Sequence, residues 1–147
     1  MNKAQSILYI YDDLINWKDF EVFQNWEEQL IKWHNKEIKQ PSQAELETAW
    51  IEVEKEIKTK EINTAFQSKI DNYLSKYPQA EIDRFTWKKI ESQKVIDWGE
   101  SYYITKKAEA LWITALQYAT AVHTKAETYE EFYIECENER DLALNSL

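Results

Sequence analysis

Pro41-Ser42-Gln43-Ala44-Glu45-Leu46-Glu47-Thr48-Ala49-Trp50 reads as the opening of a long helix. Proline cannot continue a preceding helix. Ser42 and Glu45 stand three apart, as a capping box requires, with the hydroxyl accepting from the amide at 45 and the carboxylate from the amide at 42. Beyond the cap, Leu46, Trp50, Val53 and Ile57 step by four, three and four, the seam of a helix packed along another helix. Ile62, Phe66, Ile70, Tyr73 and Tyr77 resume the stripe after a step of five, a phase slip that relaxes any supercoil. Pro78 ends the element. The helix is then about 34 residues and roughly 50 Å long at 1.5 Å per residue. The rest of the chain, folded as a tight ball, is too small to cover it. The expected molecule is therefore elongated, or it shares the stripe with a second copy.

Working outward toward the N-terminus, Ala4, Ile7, Leu8, Tyr11, Leu14 and Ile15 recur at steps of three and four, which predicts an amphipathic helix over 3–15. Residues 18–36 are ambiguous. Phe20, Val22 and Gln24 alternate with Glu21 and Phe23 like a half-buried strand, and Leu30-Ile31-Lys32-Trp33 could pair with it across Asn25-Trp26-Glu27-Glu28. Trp26, Leu30 and Trp33 also fit a helix.

Toward the C-terminus, a helical region is expected over 79–98, with Thr86 as an internal N-cap. Gly99 is expected to close it as the C′ residue in left-handed backbone. From Thr105 onward Ala108, Leu111, Trp112, Ala115, Leu116, Ala119 and Val122 form one helical face, extended by Tyr129, Phe132, Tyr133 and Cys136. Thr124 and Glu127 repeat the capping-box spacing and predict a break near His123.

Composition narrows the function. The 147 residues hold one glycine, two prolines, seven Trp and nine Tyr. Phosphate-cradling loops and dinucleotide-binding turns need several glycines for positive φ and close backbone approach, so a P-loop and a Rossmann fingerprint are excluded. Lys and Arg total 18 against 27 Asp and Glu, a net charge of −9, which repels nucleic-acid phosphates and anionic membranes. Cys136 is the single cysteine, so no intrachain disulfide forms and a reducing compartment is expected. Ile7 to Tyr11 is too short for a signal or membrane segment.

With His34 and His123 as the only histidines, a zinc site would need carboxylates from several helices. No Glu-x-x-His pair supplies a di-iron pattern. No metal, cofactor or catalytic residue is expected. Cys136 falls on an apolar stripe and reads as core. The run Glu127, Glu130, Glu131, Glu135, Glu137 and Glu139 reads as a solvated helix face; the sharper alternatives are a mimic of nucleic acid that inhibits a host DNA- or RNA-binding enzyme and an acidic docking face for a basic partner. Trp50 lies on the seam, but Trp26, Trp33, Trp87, Trp98 and Trp112 exceed what a chain of this size buries. Tryptophan and tyrosine dominate interface hot spots, which makes those five the candidate partner-binding residues.

Pro41 to Glu47, together with Asp19-Phe20-Glu21 and Ile31-Lys32-Trp33-His34, resembles the small XkdW-type proteins of Bacillus prophage tail gene clusters. In these, Asp-Phe-Glu and an Ile-x-x-Trp-Asn strand precede Pro-Thr-Gln-Ala-Glu-Leu-Glu; here one residue fewer separates Ile31 from Trp33, and His34 replaces the Asn. More loosely, Tyr77-Pro78, Glu81, Trp87 and Val122-x-x-Lys125-Ala126-x-x-Tyr129 are similar to a helical domain of phage tail-fibre and tail-assembly proteins. The resemblance favours a β-hairpin over 18–36. It implies a non-enzymatic tail-associated protein, an assembly chaperone or structural connector binding tail fibre or baseplate, located in the host cytoplasm during assembly or in the virion tail. The expected fold is mainly α, with an N-terminal helix and hairpin over 1–41 and a helical body over 42–147.

Overall fold

The computed structural model describes residues 1–25 and 28–147. Among these the chain is mainly α: six helices and one small antiparallel sheet. The order is α1 (Lys3–Ile10), β1 (Phe20–Gln24), β2 (Gln29–Trp33), α2 (Gln43–Leu74), α3 (Gln79–Ile82), α4 (Phe85–Ile96), α5 (Tyr102–Ala110) and α6 (Ala115–Asn145). Two compact units result, Met1–Glu61 with Leu147, and Ile62–Ser146. The division falls within α2, whereas the sequence reading sets 1–41 against 42–147. No helix among the described residues is long and apolar enough to cross a membrane.

In the first unit, 18–36 is a hairpin. Phe20 pairs with Trp33, Val22 with Ile31, and Gln24 with Gln29. The helical alternative fails because Phe20 and Trp33, thirteen residues apart, stack with ring centroids at 6.1 Å, and Trp33 Nε1 donates to the Ile38 carbonyl at 2.8 Å. Ile7, Leu14, Phe20 and Leu46 form the buried core, with Trp33 packed against it. Asp19 organises the entry to β1: its carboxylate accepts from the Ile15 amide at 2.9 Å and Asn35 Nδ2 at 3.0 Å. Its carbonyl accepts from the amides of His34 and Asn35. The hydrogen bond from Ile15 leads in holding the Asp19 carboxyl below its ordinary range. α1 is shorter than periodicity predicts and stops at Ile10, yet Leu14 is still buried, carried back to the core by the turn.

The predicted capping box opens α2. The Ser42 amide donates to Glu45 Oε2 at 2.7 Å, and the Glu45 amide to Ser42 Oγ at 3.3 Å. The helix runs 32 residues.

In the second unit, the later stripe of α2 is covered by α6 of the same chain. Tyr73 stacks on Phe132 at 4.5 Å, Phe66 meets Tyr133 edge-on at 5.9 Å, and Ile70 and Cys136 are buried. Two boundaries differ from expectation. The helix expected from Thr105 onward breaks at 111–114, not at His123, because Thr114 and Gln117 form the capping box of α6. Thr124 lies inside that helix, where its carbonyl accepts from Thr128 Oγ1 at 2.9 Å. Nor does Thr86 cap a helix: α4 begins at Phe85 after Arg84, which caps nothing with its side chain.

Candidate protein interface

The tryptophans separate by the backbone that carries them. Trp33 is spent inside the first unit, between Phe20 and Tyr11. Trp87 is 43% exposed and lies edge-on to Tyr103 at 4.8 Å. Trp26 lies outside the described residues. Trp98 and Trp112, each 95% exposed, stand almost wholly clear of the protein.

Both of those sit in left-handed backbone, Trp98 at φ 67° and Trp112 at φ 58°. The reason is local. Helices commonly end with a left-handed C′ residue, whose amide and the next one close back on the last carbonyls. At the end of α4 the Trp98 amide donates to the Val95 carbonyl at 3.3 Å and the Gly99 amide to the Lys94 carbonyl at 2.7 Å. The end of α5 repeats the pattern. The Trp112 amide donates to Glu109 at 3.2 Å and the Ile113 amide to Ala108 at 3.1 Å. Tryptophan therefore occupies, twice, the position that glycine normally takes.

This corrects the reading of Gly99. It is not the left-handed residue, and no glycine has positive φ. It is one place further on, where a Cβ would lie 2.7 Å from the Lys94 carbonyl oxygen. Glycine is needed there for close approach.

Trp17, which the sequence reading passed over, belongs to the same class: φ 77° and 75% exposed, in the turn before β1. Its signal was available, since Asn16-Trp17-Lys18-Asp19 is polar on both sides and offers the indole no buried face. Around Trp112, Leu111 and Leu116 are also more than half exposed, and Ile113 is 40% exposed. They make the α5–α6 turn an apolar patch of the second unit.

A bulky residue in left-handed backbone costs about 1–2 kcal/mol. Such outliers concentrate where surrounding structure holds a side chain for use. Each indole projects from a turn closed by two hydrogen bonds, so its backbone is already ordered before any partner arrives. Preorganisation of that kind lowers the entropy lost on binding.

Charge gives less to work with. Of the six glutamates in the C-terminal acidic run, three pair with Lys or Arg: Glu130 with Lys89 at 2.6 Å, Glu137 with Arg140 at 3.8 Å, and Glu139 with Lys69. No group of three His, Cys, Asp or Glu side chains among the described residues could hold a metal ion. Compared with models of protein families, with curated proteins and with solved structures, the chain matches none.

Proposed function

We propose that this protein is a non-enzymatic binding protein that grips other proteins through indoles displayed at helix ends, Trp98 and Trp112 foremost. The observation that carries the reading is their placement: nearly full exposure on left-handed backbone, at positions where glycine would cost nothing. The exposed Leu111, Ile113 and Leu116 beside Trp112 supply the apolar surround that hot-spot aromatics use to exclude water.

The partner class follows from the resemblance of the first half of the chain to XkdW-type tail proteins. The protein acts as an assembly chaperone or connector for a phage tail fibre or baseplate. The pairing of the acidic helix face with Lys and Arg weakens the rival reading, a nucleic-acid mimic, because a mimic needs its carboxylates unneutralised.

The test is affinity capture from phage-infected cells followed by mass spectrometry, with the wild-type chain and the Trp98→Ala/Trp112→Ala double variant side by side. Tail fibre or baseplate proteins should be recovered by the first and lost by the second, with little dependence on salt. Capture of host nucleic-acid enzymes, released steeply as salt rises, would sink the reading.

A further inference from the structure

A cleft of about 240 Å³ opens in the second unit between α6 and the end of α2, α3 and α4. It exists because Ala121 and Ala126 on α6 are small where their neighbours are large. Its walls are rings: Tyr77 and Phe85 meet edge-on at 5.2 Å, and Phe85 and Tyr129 at 6.0 Å. Its charged lining is one carboxylate, Glu81, and two ammoniums, Lys88 and Lys125.

Both ammoniums reach for the same oxygen and neither reaches it well. Lys88 Nζ lies 3.4 Å and Lys125 Nζ 3.5 Å from Glu81 Oε1. Charge-assisted hydrogen bonds settle at about 2.7–2.9 Å. The Lys88 side chain is only 17% exposed, so water does little to make up the shortfall. Lys125 Nζ also sits 4.3 Å over the Tyr77 ring, which holds the positive charge at the cleft.

Protonation keeps the balance positive. Burial alone would raise the Glu81 carboxyl, but Lys88 and Lys125 outweigh it and hold the group below its ordinary range, so it is ionised at neutral pH. Burial pushes the Tyr118 phenol up to about 12, with help from Tyr103, and burial likewise raises Tyr129, so these phenols stay neutral. One carboxylate between two ammoniums leaves a local charge of +1. The net −9 of the chain acts over longer distances and is screened beyond about 8 Å at physiological salt. An incoming cation would meet two ammoniums and a carboxylate already shared between them.

Size selects further. A cavity of about 150 Å³ accepts benzene, so this cleft has room for one ring and a short arm. We propose that it binds a small aryl-alkanoate, the ring among Tyr77, Phe85 and Tyr129 and the carboxylate bridging Lys88 Nζ and Lys125 Nζ. The same chemistry occurs in a free aromatic acid and in the C-terminal aromatic residue of a polypeptide.

Calorimetric titration of the full chain with 3-phenylpropionate, its neutral amide and 3-phenylpropylamine tests this. The carboxylate should bind saturably, about tenfold or more tighter than the amide, as one well-made hydrogen bond to a charged group predicts, and the amine should bind most weakly. Lys125→Met should remove most of the carboxylate's advantage and leave the amide unchanged. Ala126→Leu should fill the cleft and abolish both, with the circular dichroism of each variant unaltered. A short peptide ending in phenylalanine with a free carboxylate, if it binds tighter than phenylpropionate, identifies a polypeptide terminus as the natural source; weaker binding identifies a free acid. Amine binding equal to or above that of the carboxylate would overturn the proposal. So would absence of saturable binding at millimolar acid, or binding indifferent to Ala126→Leu.

Discussion

At the scale of the residue, Trp98 and Trp112 set what the fold gives up against what it displays. Replacing either by glycine relieves about 1–2 kcal/mol of left-handed strain and returns roughly 0.4–1 kcal/mol to the unfolded chain as added freedom. Almost no packing is lost, because the indoles touch so little. Trp98→Gly/Trp112→Gly should therefore melt higher than wild type, by about 2–4 °C for each kcal/mol gained, while losing partner capture. A fall in the melting temperature would mean that the indoles support the fold. Gly99 behaves in the opposite way: a methyl group there meets the Lys94 carbonyl at 2.7 Å. Gly99→Ala should cost about 1–3 kcal/mol, as overpacking does, read as a lower denaturation midpoint. Sequence placed a glycine at this helix end but not its role, because left-handed conformation and close approach ask for the same residue one position apart. The indole at C′ was not legible at all, since propensity argues against a tryptophan there.

At the scale of the element, caps were the readable feature. The Ser42 and Glu45 box was foreseen and is formed, and its carboxylate makes the helix start sensitive to acid. The Ser42 hydroxyl, then the Ser42 amide, hold the Glu45 carboxyl below its ordinary 4.5. A carboxyl whose pKa is lowered by folding stabilises fully above its unfolded value, and that contribution is lost as pH falls through the folded one. Melting temperature plotted against pH should therefore drop less steeply below about pH 4.5 in Glu45→Gln, which keeps an acceptor without the titration. Superimposable curves would show that the box contributes nothing. The second box was misplaced. Thr124 and Glu127 have the right spacing, but so do Thr114 and Gln117, and only the latter stand where the chain leaves one helix and enters another. Spacing alone cannot separate a cap from two exposed residues on a continuing helix. Likewise, residues 18–36 satisfy both periods, and only the pairing of Phe20 with Trp33, invisible to a local pattern, selects the strand.

At the scale of the molecule, the chain holds two compact units, and the division between them falls within α2. Phe20 is fully buried in the first. Phe20→Ala should cost that unit about 3–5 kcal/mol. Hydrogen exchange should show protection lost across 3–33 and retained in α6. Uniform loss across the chain would mean that the two units unfold as one. The mainly helical class, the long helix and the aromatic stripe were all legible, because a 3.6-residue period repeats over many turns. The later half of the stripe is satisfied by α6 of the same chain, so that part does not require a second copy. The division inside α2 was not legible, since a continuous apolar stripe carries no mark of where its partner changes.

The two helix-end indoles also decide how the protein reports on itself. Side chains 95% exposed emit as solvent-relaxed tryptophan, at the red end of the indole range. Unlabelled protein should then show a red-shifted emission that acrylamide quenches readily, turning blue and resistant when a partner covers those turns. The Trp98→Gly/Trp112→Gly variant, which keeps Trp17 at 75% exposure, should start less red-shifted and change less when partner is added.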